Sequence, residues 1–558
     1  MEKFSFIILL TLAKLIIFAK FSVCGTIPDS DVFINSDLKL KGLLMKSHGG
    51  KSFYSFRGIP YAKPPIGERR FKDPEPYGEW NEILDATKDS AICPQIENDL
   101  NELGDLKMSE DCLTINVYTP SMEGNKTVFA FIHGGGLRYG TAHSYHYAPE
   151  FILDEDVVLV TFNYRLGALG FVNSGTEKAT SNYGLKDQVT ALKWIQNNIH
   201  RFGGNPNSVT LIGHSAGSMS VTLHMVSPMS KNLFHRAVAL SGSGTNQWTL
   251  YNEDLTKKLA VSVNCSIDSD EKMIECLREK PWEDFIAVGA KWDENQMPDM
   301  QWNVELEKDF GQERFMIEHP SVLFEKGEFY KVPIITGITI DEFAERGPKA
   351  VKRPNLLNEM DTNFNNVAPF LFGYHPPGTD KANHISDELR KLYFNGGKID
   401  TSSEKGIGDI VSDALINYGV HRLVDLARKY EDVYYFRLDY AGHYSCATKD
   451  NNGKPLYVDH SDVLIYLFGY ETCTDDFTDV EDDLQVTKKF TKYIVNLSNY
   501  GNPNGNTDEP ICTTKWLPST KDDMKMFHID KTCSMGEPHN KKIFAVWDKL
   551  FPVSDKEL

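Results

Sequence analysis

Apolar residues in this chain fall in short unbroken runs rather than alternating with polar ones. Val128 to Ile132 reads VFAFI and stops abruptly at His133-Gly134-Gly135-Gly136. A second run, Val157 to Phe162, ends at Asn163-Tyr164-Arg165, and a third, Ser208 to Ile212, leads straight into Gly213. Further runs cover Ala237 to Leu240 and Val332 to Gly337, the latter ending near Asp341-Glu342. Between the second and third lies a different period. Leu185, Val189, Leu192, Ile195 and Ile199 recur at helical spacing until Gly203-Gly204-Asn205-Pro206 breaks the pattern. Strands apolar on both faces, alternating with helices, predict a large, mostly parallel sheet with helices on both sides. Residues 377–407 and the tract from Glu471 to Asp483 are polar and read as surface excursions. No repeat or linker divides the chain, so the expectation is one large α/β domain with long loops over the carboxyl ends of its strands.

The first residues follow another rule. Lys3 precedes an apolar stretch from Phe4 to Phe18, with Lys14 the one charge inside it, and a small-residue site, Val23-Cys24-Gly25, follows. These runs are too short to span a bilayer, so residues 1–25 read as a signal peptide and 26–558 as the single mature domain. No other segment approaches the ~20 apolar residues of a spanning helix, and no membrane anchor is expected. Cys24 leaves with the leader. Cys93, Cys112, Cys265, Cys276, Cys446, Cys473, Cys512 and Cys533 remain, an even set without CxxC spacing, which favours disulfides over metal ligation in an exported chain. Glycosylation sequons at Asn125, Asn264 and Asn496 fit the same route. The final Asp555-Lys556-Glu557-Leu558 matches an endoplasmic-reticulum retrieval signal only in its last two residues, which leaves secretion and lumenal retention both open. Composition adds an exclusion: 78 acidic residues against 59 basic ones give a net charge of −19, which repels polyanions, so nucleic acid is not an expected partner.

The chemistry centres on Gly213-His214-Ser215-Ala216-Gly217, where the third strand meets a helix-compatible stretch. A GxSxG pentapeptide in that setting is a nucleophile elbow, a strained turn that exposes a serine. A serine hydroxyl is a weak nucleophile at neutral pH and needs a base, and its transition state needs donors for the developing oxyanion. The glycine loop after VFAFI supplies backbone N–H groups without side chains in the way, so Gly135, Gly136 and Ala216 are the expected donors. A phosphate-binding reading of that loop fails because no Lys-Ser/Thr follows. The base is less easily read. Ten histidines follow Ser215; His460, in the polar loop Tyr457-Val458-Asp459-His460-Ser461-Asp462 before an apolar run, stands out without being singled out by spacing. Glu342 follows a strand end, but several carboxylates could orient a histidine.

Together these motifs resemble the type-B carboxylesterase/cholinesterase family of α/β-hydrolases. The likeness extends to Phe56-Arg57-Gly58-Ile59-Pro60-Tyr61-Ala62, Glu110-Asp111-Cys112-Leu113, Gly184-Leu185-Lys186-Asp187-Gln188, Phe202-Gly203-Gly204-Asn205-Pro206 and Ser241-Gly242-Ser243, and runs from about residue 30 to the C-terminus. It implies an α/β-hydrolase fold with loops over an active-site gorge, and a serine carboxylester hydrolase working through an acyl-enzyme. Its catalytic acid falls on Glu342 and its histidine on His460, with no metal or organic cofactor and a small-molecule ester as substrate. It also implies disulfides Cys93–Cys112 and Cys265–Cys276, leaving Cys446–Cys473 and Cys512–Cys533 by elimination. Arg57 with Glu110 and Arg165 with Asp187 look like the family's buried ion pairs, and Trp248 is a candidate for the acyl side of the pocket. Phe343 and Tyr457 stand where the family usually has glycine, and Val463 replaces a frequent acidic residue. No Trp lies between Cys93 and Cys112, and His214 replaces the acidic residue beside the cholinesterase nucleophile, which argues against a choline ester site. The chain looks most like generalist secreted arthropod carboxylesterases. Juvenile-hormone- or pheromone-type esterases, and binding proteins on the same fold that have lost catalysis, are the alternatives.

Overall fold

A computed structural model describes residues 32–35, 38–96, 107–250, 254–294, 302–470, 473–474 and 480–553. The leader, Cys24 and the C-terminal Asp555-Lys556-Glu557-Leu558 lie outside the described residues. In chain order the strands are β1 (Val32–Asn35), β2 (Leu40–Lys46), β3 (Ser52–Pro60), β4 (Leu84–Asp85), β5 (Thr114–Thr119), β6 (Lys126–Ile132), β7 (Val158–Phe162) and the hairpin β8 (Asn173–Thr176) and β9 (Ala179–Thr180). There follow β10 (Gly204–His214), β11 (Arg236–Leu240), β12 (Ile334–Thr339), β13 (Val433–Leu438), β14 (Met526–Ile529) and β15 (Ser534–Gly536). One sheet runs β1-β2-β3-β5-β7-β6-β10-β11-β12-β13-β14-β15, with β4 beside β2. Every neighbouring pair from β7 to β14 is parallel; the pairs outside them in that order are antiparallel.

The unbroken apolar runs follow from burial on both sides. Val128, Ala130 and Ile132 of β6 join one core, and Phe129 and Phe131 join the other. Each predicted strand overlaps an observed one, and the helical period falls in Tyr183–Asn198. β10 starts earlier than the sequence suggests, at Gly204, because the Gly-Asn-Pro stretch is absorbed as a register shift against β6 rather than ending the element.

The polar stretch 377–407 departs from expectation. It holds the helix Asp380–Phe394 and the start of Glu404–Ser412, and its scattered apolar residues Ile385, Leu389, Phe394, Ile399 and Ile407 enter a third core with Phe544 and Trp547 of the helix Lys541–Leu550. Spaced a turn or so apart, they suffice to seat amphipathic helices. Helices, not only loops, therefore cap this end of the sheet. The second polar tract lies partly outside the described residues, but Glu481–Asp483 open the helix Glu481–Tyr500, and Asp483 is buried, accepting from the His443 N–H.

All four cysteine pairs are bonded: Cys93–Cys112, Cys265–Cys276, Cys446–Cys473 and Cys512–Cys533. Arg165 forms a bidentate pair with Asp187, at 2.8 Å from Nε and 2.7 Å from Nη2. The other expected pair does not form. Arg57 binds Asp89 at 2.6 Å, with Thr87 O and Ser144 Oγ beside it, whereas Glu110 accepts from Nε and Nη2 of Arg70. Arg70 is the better placed because its Nη1 also satisfies the carbonyl oxygens of Arg278 and Lys280, where the helix Asp270–Glu279 ends. Among the described residues no helix is long and apolar enough to cross a membrane.

Candidate active site

Ser215 occupies the single residue between β10 and the helix Ala216–Val226, at φ 56° and ψ −121°. A side chain at positive φ is strained, and the surroundings must hold it there. The Ser215 N–H donates to Leu240 O at 2.9 Å on β11, and Ser215 O accepts from Met219 N at 2.9 Å. The helix can start this close to the sheet only because Gly217 lacks a side chain: a Cβ there would stand 2.1 Å from Ile132 O.

The glycine loop leaves β6 beside this turn. Gly135 has φ 103°, a region open essentially to glycine, and its carbonyl accepts from Arg138 N and Tyr139 N, folding the loop back on itself. His133 anchors it. Its ring stacks on Tyr164 at 4.4 Å, its Nδ1 lies 2.9 Å from Gly134 O, and burial pushes its pKa down to about 4, so it stays neutral. Gly136 and Ala216 line a cavity with Ser215; Gly135, the residue before Gly136, does not line it.

Glu342 and His460 come together in the structure. Glu342 follows β12 and is fully buried, and its Oε1 accepts from Thr339 N at 2.8 Å. Its Oε2 takes the hydrogen bond from His460 Nδ1, while its carbonyl accepts from His460 N at 3.0 Å. The other imidazole nitrogen, Nε2, is buried with no hydrogen-bond partner. The ring lies between Phe343 at 4.5 Å and His214 at 4.6 Å. His214 Nε2 lies 2.9 Å from His460 O; burial, then the neighbouring His460, hold its pKa well below the usual imidazole range, so the neutral ring acts as donor. Of the ten histidines that follow Ser215, His460 alone lines the cavity among the described residues; His224, for instance, is spent on Gln188 and Ser230.

The cavity measures about 480 Å³. Trp248 forms part of its wall, buried at 5% exposure, with its Nε1 donating to Ala414 O at 3.1 Å. The acceptor belongs to a π-helical turn, Asp413–Asn417, whose Leu415 and Ile416 also line the cavity. Among the described residues Cys446, Asp459 and Asp462 lie close enough together to suggest a cation, but Cys446 is in a disulfide and Asp462 already accepts from Ser445 Oγ, Cys446 N and Asp459 N.

Residues 30–547 match the model of the carboxylesterase family. The chain belongs to that family. It is 33% identical over 504 residues to juvenile hormone esterase of Tribolium castaneum, covering 86% of this chain and 85% of that protein. It is 31% identical to Esterase E4 of Myzus persicae, over 92% of each. The crystal structure of juvenile hormone esterase from Manduca sexta, with OTFP covalently attached, superposes with a TM-score of 0.81 at 26% identity, covering 92% of this chain and 98% of that one. The protein is a serine carboxylester hydrolase on an α/β-hydrolase fold, and its substrates are small-molecule carboxylic esters.

Of the esterase's three departures from the usual family pattern, only Phe343 lines the cavity; Tyr457 is half-buried and Val463 buried, both away from the lining. Phe343→Gly should therefore raise kcat/KM for a bulky acyl ester relative to an acetate by roughly tenfold, read from paired aryl esters. Two sequons, Asn125 and Asn264, are exposed. Asn496 is buried, and its Nδ2 donates to Pro503 O at 3.1 Å. The sequence reading missed the structural part of His214 and the four cations of the cavity wall, Arg138, Arg346, Lys349 and Arg353. His214 had one signal, its place beside Ser215; the cations had none, since exposed basic residues are common.

Proposed function

We propose that Ser215, His460 and Glu342 form the catalytic triad of a general secreted carboxylesterase, with Gly135, Gly136 and Ala216 N–H groups binding the oxyanion. The observation that carries the reading is the allocation of the imidazole nitrogens: Nδ1 is committed to Glu342, Nε2 is unpartnered, and the ring shares a cavity with the elbow serine. Ser215 Oγ attacks the ester carbonyl as Nε2 takes its proton, and the proton then passes to the departing alcohol. Water attacks the acyl-enzyme, gives a proton to Nε2 and releases the acid, and Ser215 Oγ is reprotonated. Trp248 bounds the acyl group in this reading.

Residues 1–25 serve as the leader of a single catalytic domain, 26–558, exported with Asn125 and Asn264 as glycan acceptors. A functional retrieval signal at Asp555-Lys556-Glu557-Leu558 would instead keep it in the endoplasmic-reticulum lumen. A specialised hormone-type esterase is the second reading, favoured by the likeness to two juvenile hormone esterases. Incubation with an organophosphate and peptide mass mapping tests the nucleophile. The expected adduct is on Ser215; no adduct there, with no hydrolysis of short-chain aryl esters, would overturn the assignment.

A further inference from the structure

One wall of the cavity is built on an irregular helix. Residues 404–427 run on as a single helix, but Asp413–Asn417 form a π-turn, in which the Tyr418 N–H reaches back five residues to Asp413 O. Such a turn displaces carbonyl oxygens from their usual partners, and in a buried place other donors must meet them. Here the donors come from the loop after β11. Ala414 O accepts from Gln247 Nε2 at 2.9 Å and from Trp248 Nε1 at 3.1 Å. Leu415 O accepts from Asn246 Nδ2 at 3.2 Å and Gly419 O from Thr245 Oγ1 at 2.8 Å, so four consecutive side chains hold this stretch. Gly419 lets the loop come so near: a Cβ there would stand 1.7 Å from Asn246 Oδ1.

The far side of the turn is anchored as well. The Asp413 carboxylate accepts from Tyr393 Oη at 2.7 Å, Asn417 Nδ2 at 3.0 Å and Asn540 Nδ2 at 3.3 Å. On the loop side, Gln247 Nε2 makes a second bond, to Phe372 O at 2.9 Å, at the last residue of the helix Phe364–Phe372. A Cβ on Gly373, next in the chain, would stand 2.4 Å from Trp248 Cβ, so that helix ends against Trp248. One amide group therefore ties two carbonyls from separate helices. Trp248, Phe372, Leu415 and Ile416 line the cavity; Gln247 does not. An amide nitrogen has two hydrogens, and both are spent on the wall.

We propose that Gln247 is a positioning residue that sets how long an acyl chain the site admits, by clamping the carbonyls of Phe372 and Ala414 so that Phe372, Leu415 and Ile416 stand with Trp248 as a fixed wall. The proposal rests on Ser215 being the nucleophile and on Trp248 bounding the acyl group. Without the clamp, Phe372 O loses this donor and Ala414 O keeps Trp248 Nε1 alone. A buried carbonyl short of a donor moves until it finds one, so the two helices part and the wall recedes.

The test is a series of 4-nitrophenyl esters from acetate to octanoate, read on the unaltered protein and on Gln247→Met, which keeps the length of the side chain and removes both donors. The ratio of kcat/KM for octanoate to that for acetate should rise about fivefold or more in the variant, through the KM of octanoate. Gln485→Met, at an exposed position of the helix Glu481–Tyr500, should leave the ratio where it was. Leu415→Ala opens the wall directly and should raise the ratio too. Combined with Gln247→Met it should gain far less than the product of the two separate gains, because Gln247 acts through the turn that carries Leu415. A glutamine that merely supported the fold would change every ester alike and combine with Leu415→Ala multiplicatively. Should Gln247→Met fold poorly, Thr245→Val removes the bond to Gly419 O and should move the ratio the same way, by about twofold. An unmoved ratio in whichever of the two variants folds would overturn the proposal, as would fully multiplicative gains, and both results leave the esterase intact. Butyrates of alcohols from methanol to octanol are run in parallel. A length effect confined to them would place the wall against the alcohol and overturn both the assignment of Trp248 and the proposal. Failure of the unaltered protein to hydrolyse any of these esters would instead overturn the reading of Ser215, and the proposal with it.

Discussion

Replacing His460 with alanine lowers kcat on a short-chain aryl ester by about 10⁵- to 10⁶-fold, and Ser215→Ala does the same; the double variant is no worse than either alone. The non-additivity is the informative part, because a nucleophile without its base and a base without its nucleophile are equally idle. Thermal unfolding should barely move for Ser215→Ala, since its strained backbone is held by Leu240 O and Met219 N rather than by the hydroxyl. Glu342→Gln is the finer test. Thr339 N–H donates to Oε1, so the substituted amide keeps its oxygen there and turns its NH₂ toward His460 Nδ1. Nδ1 must then accept, the ring proton moves to Nε2, and the base is lost without any gross change of shape; a fall of about 10⁴-fold is expected. Full activity in His460→Ala would transfer the role to another histidine, although none of the other nine that follow Ser215 lines the cavity among the described residues.

Legibility in the sequence tracked how local each feature was. The parallel sheet could be read because β6 and β7 bury both faces and therefore carry no polar alternation. The elbow and the glycine loop could be read because each needs particular residues within a few positions at a strand end. His460 and Glu342 stand more than a hundred residues apart, and their pairing is a product of tertiary structure. Their own neighbourhoods mark His460 as a loop histidine before an apolar run and Glu342 as one of several carboxylates near a strand end, so family likeness was needed to choose them. The cap was misread for a related reason. Ile385 and Leu389 lie among charged residues, and their burial depends on Phe544 and Trp547 arriving from the far end of the chain. Arg57 shows the limit of likeness itself: it is half-buried and paired, but with Asp89, because short-range geometry rather than motif membership chooses the carboxylate.

The largest effect on stability is expected at Asp187, which makes no contact with the cavity. Asp187 is fully buried and accepts from Arg165 N at 3.0 Å as well as from Nε and Nη2. Asp187→Ala leaves a guanidinium with 3% residue exposure to be satisfied by Lys72 O and the face of Tyr183 alone. Removing one partner of such a pair costs about 3–5 kcal/mol, far more than the pair itself contributes, since the remaining charge keeps its desolvation penalty. The midpoint of urea unfolding should fall accordingly, and Arg165→Met in the same chain should recover most of the loss by removing the stranded charge. A cost below about 1 kcal/mol for the single variant would mean that water reaches Arg165 and that the pair is not truly buried. Activity should fall less than stability but not be spared. Arg165 follows Tyr164, whose ring stacks on His133 and whose hydroxyl donates to His133 O at 3.0 Å, directly before the glycine loop. A loosened Arg165 therefore reaches the glycine loop, proposed above to bind the oxyanion, through one residue, and kcat should drop with KM little changed.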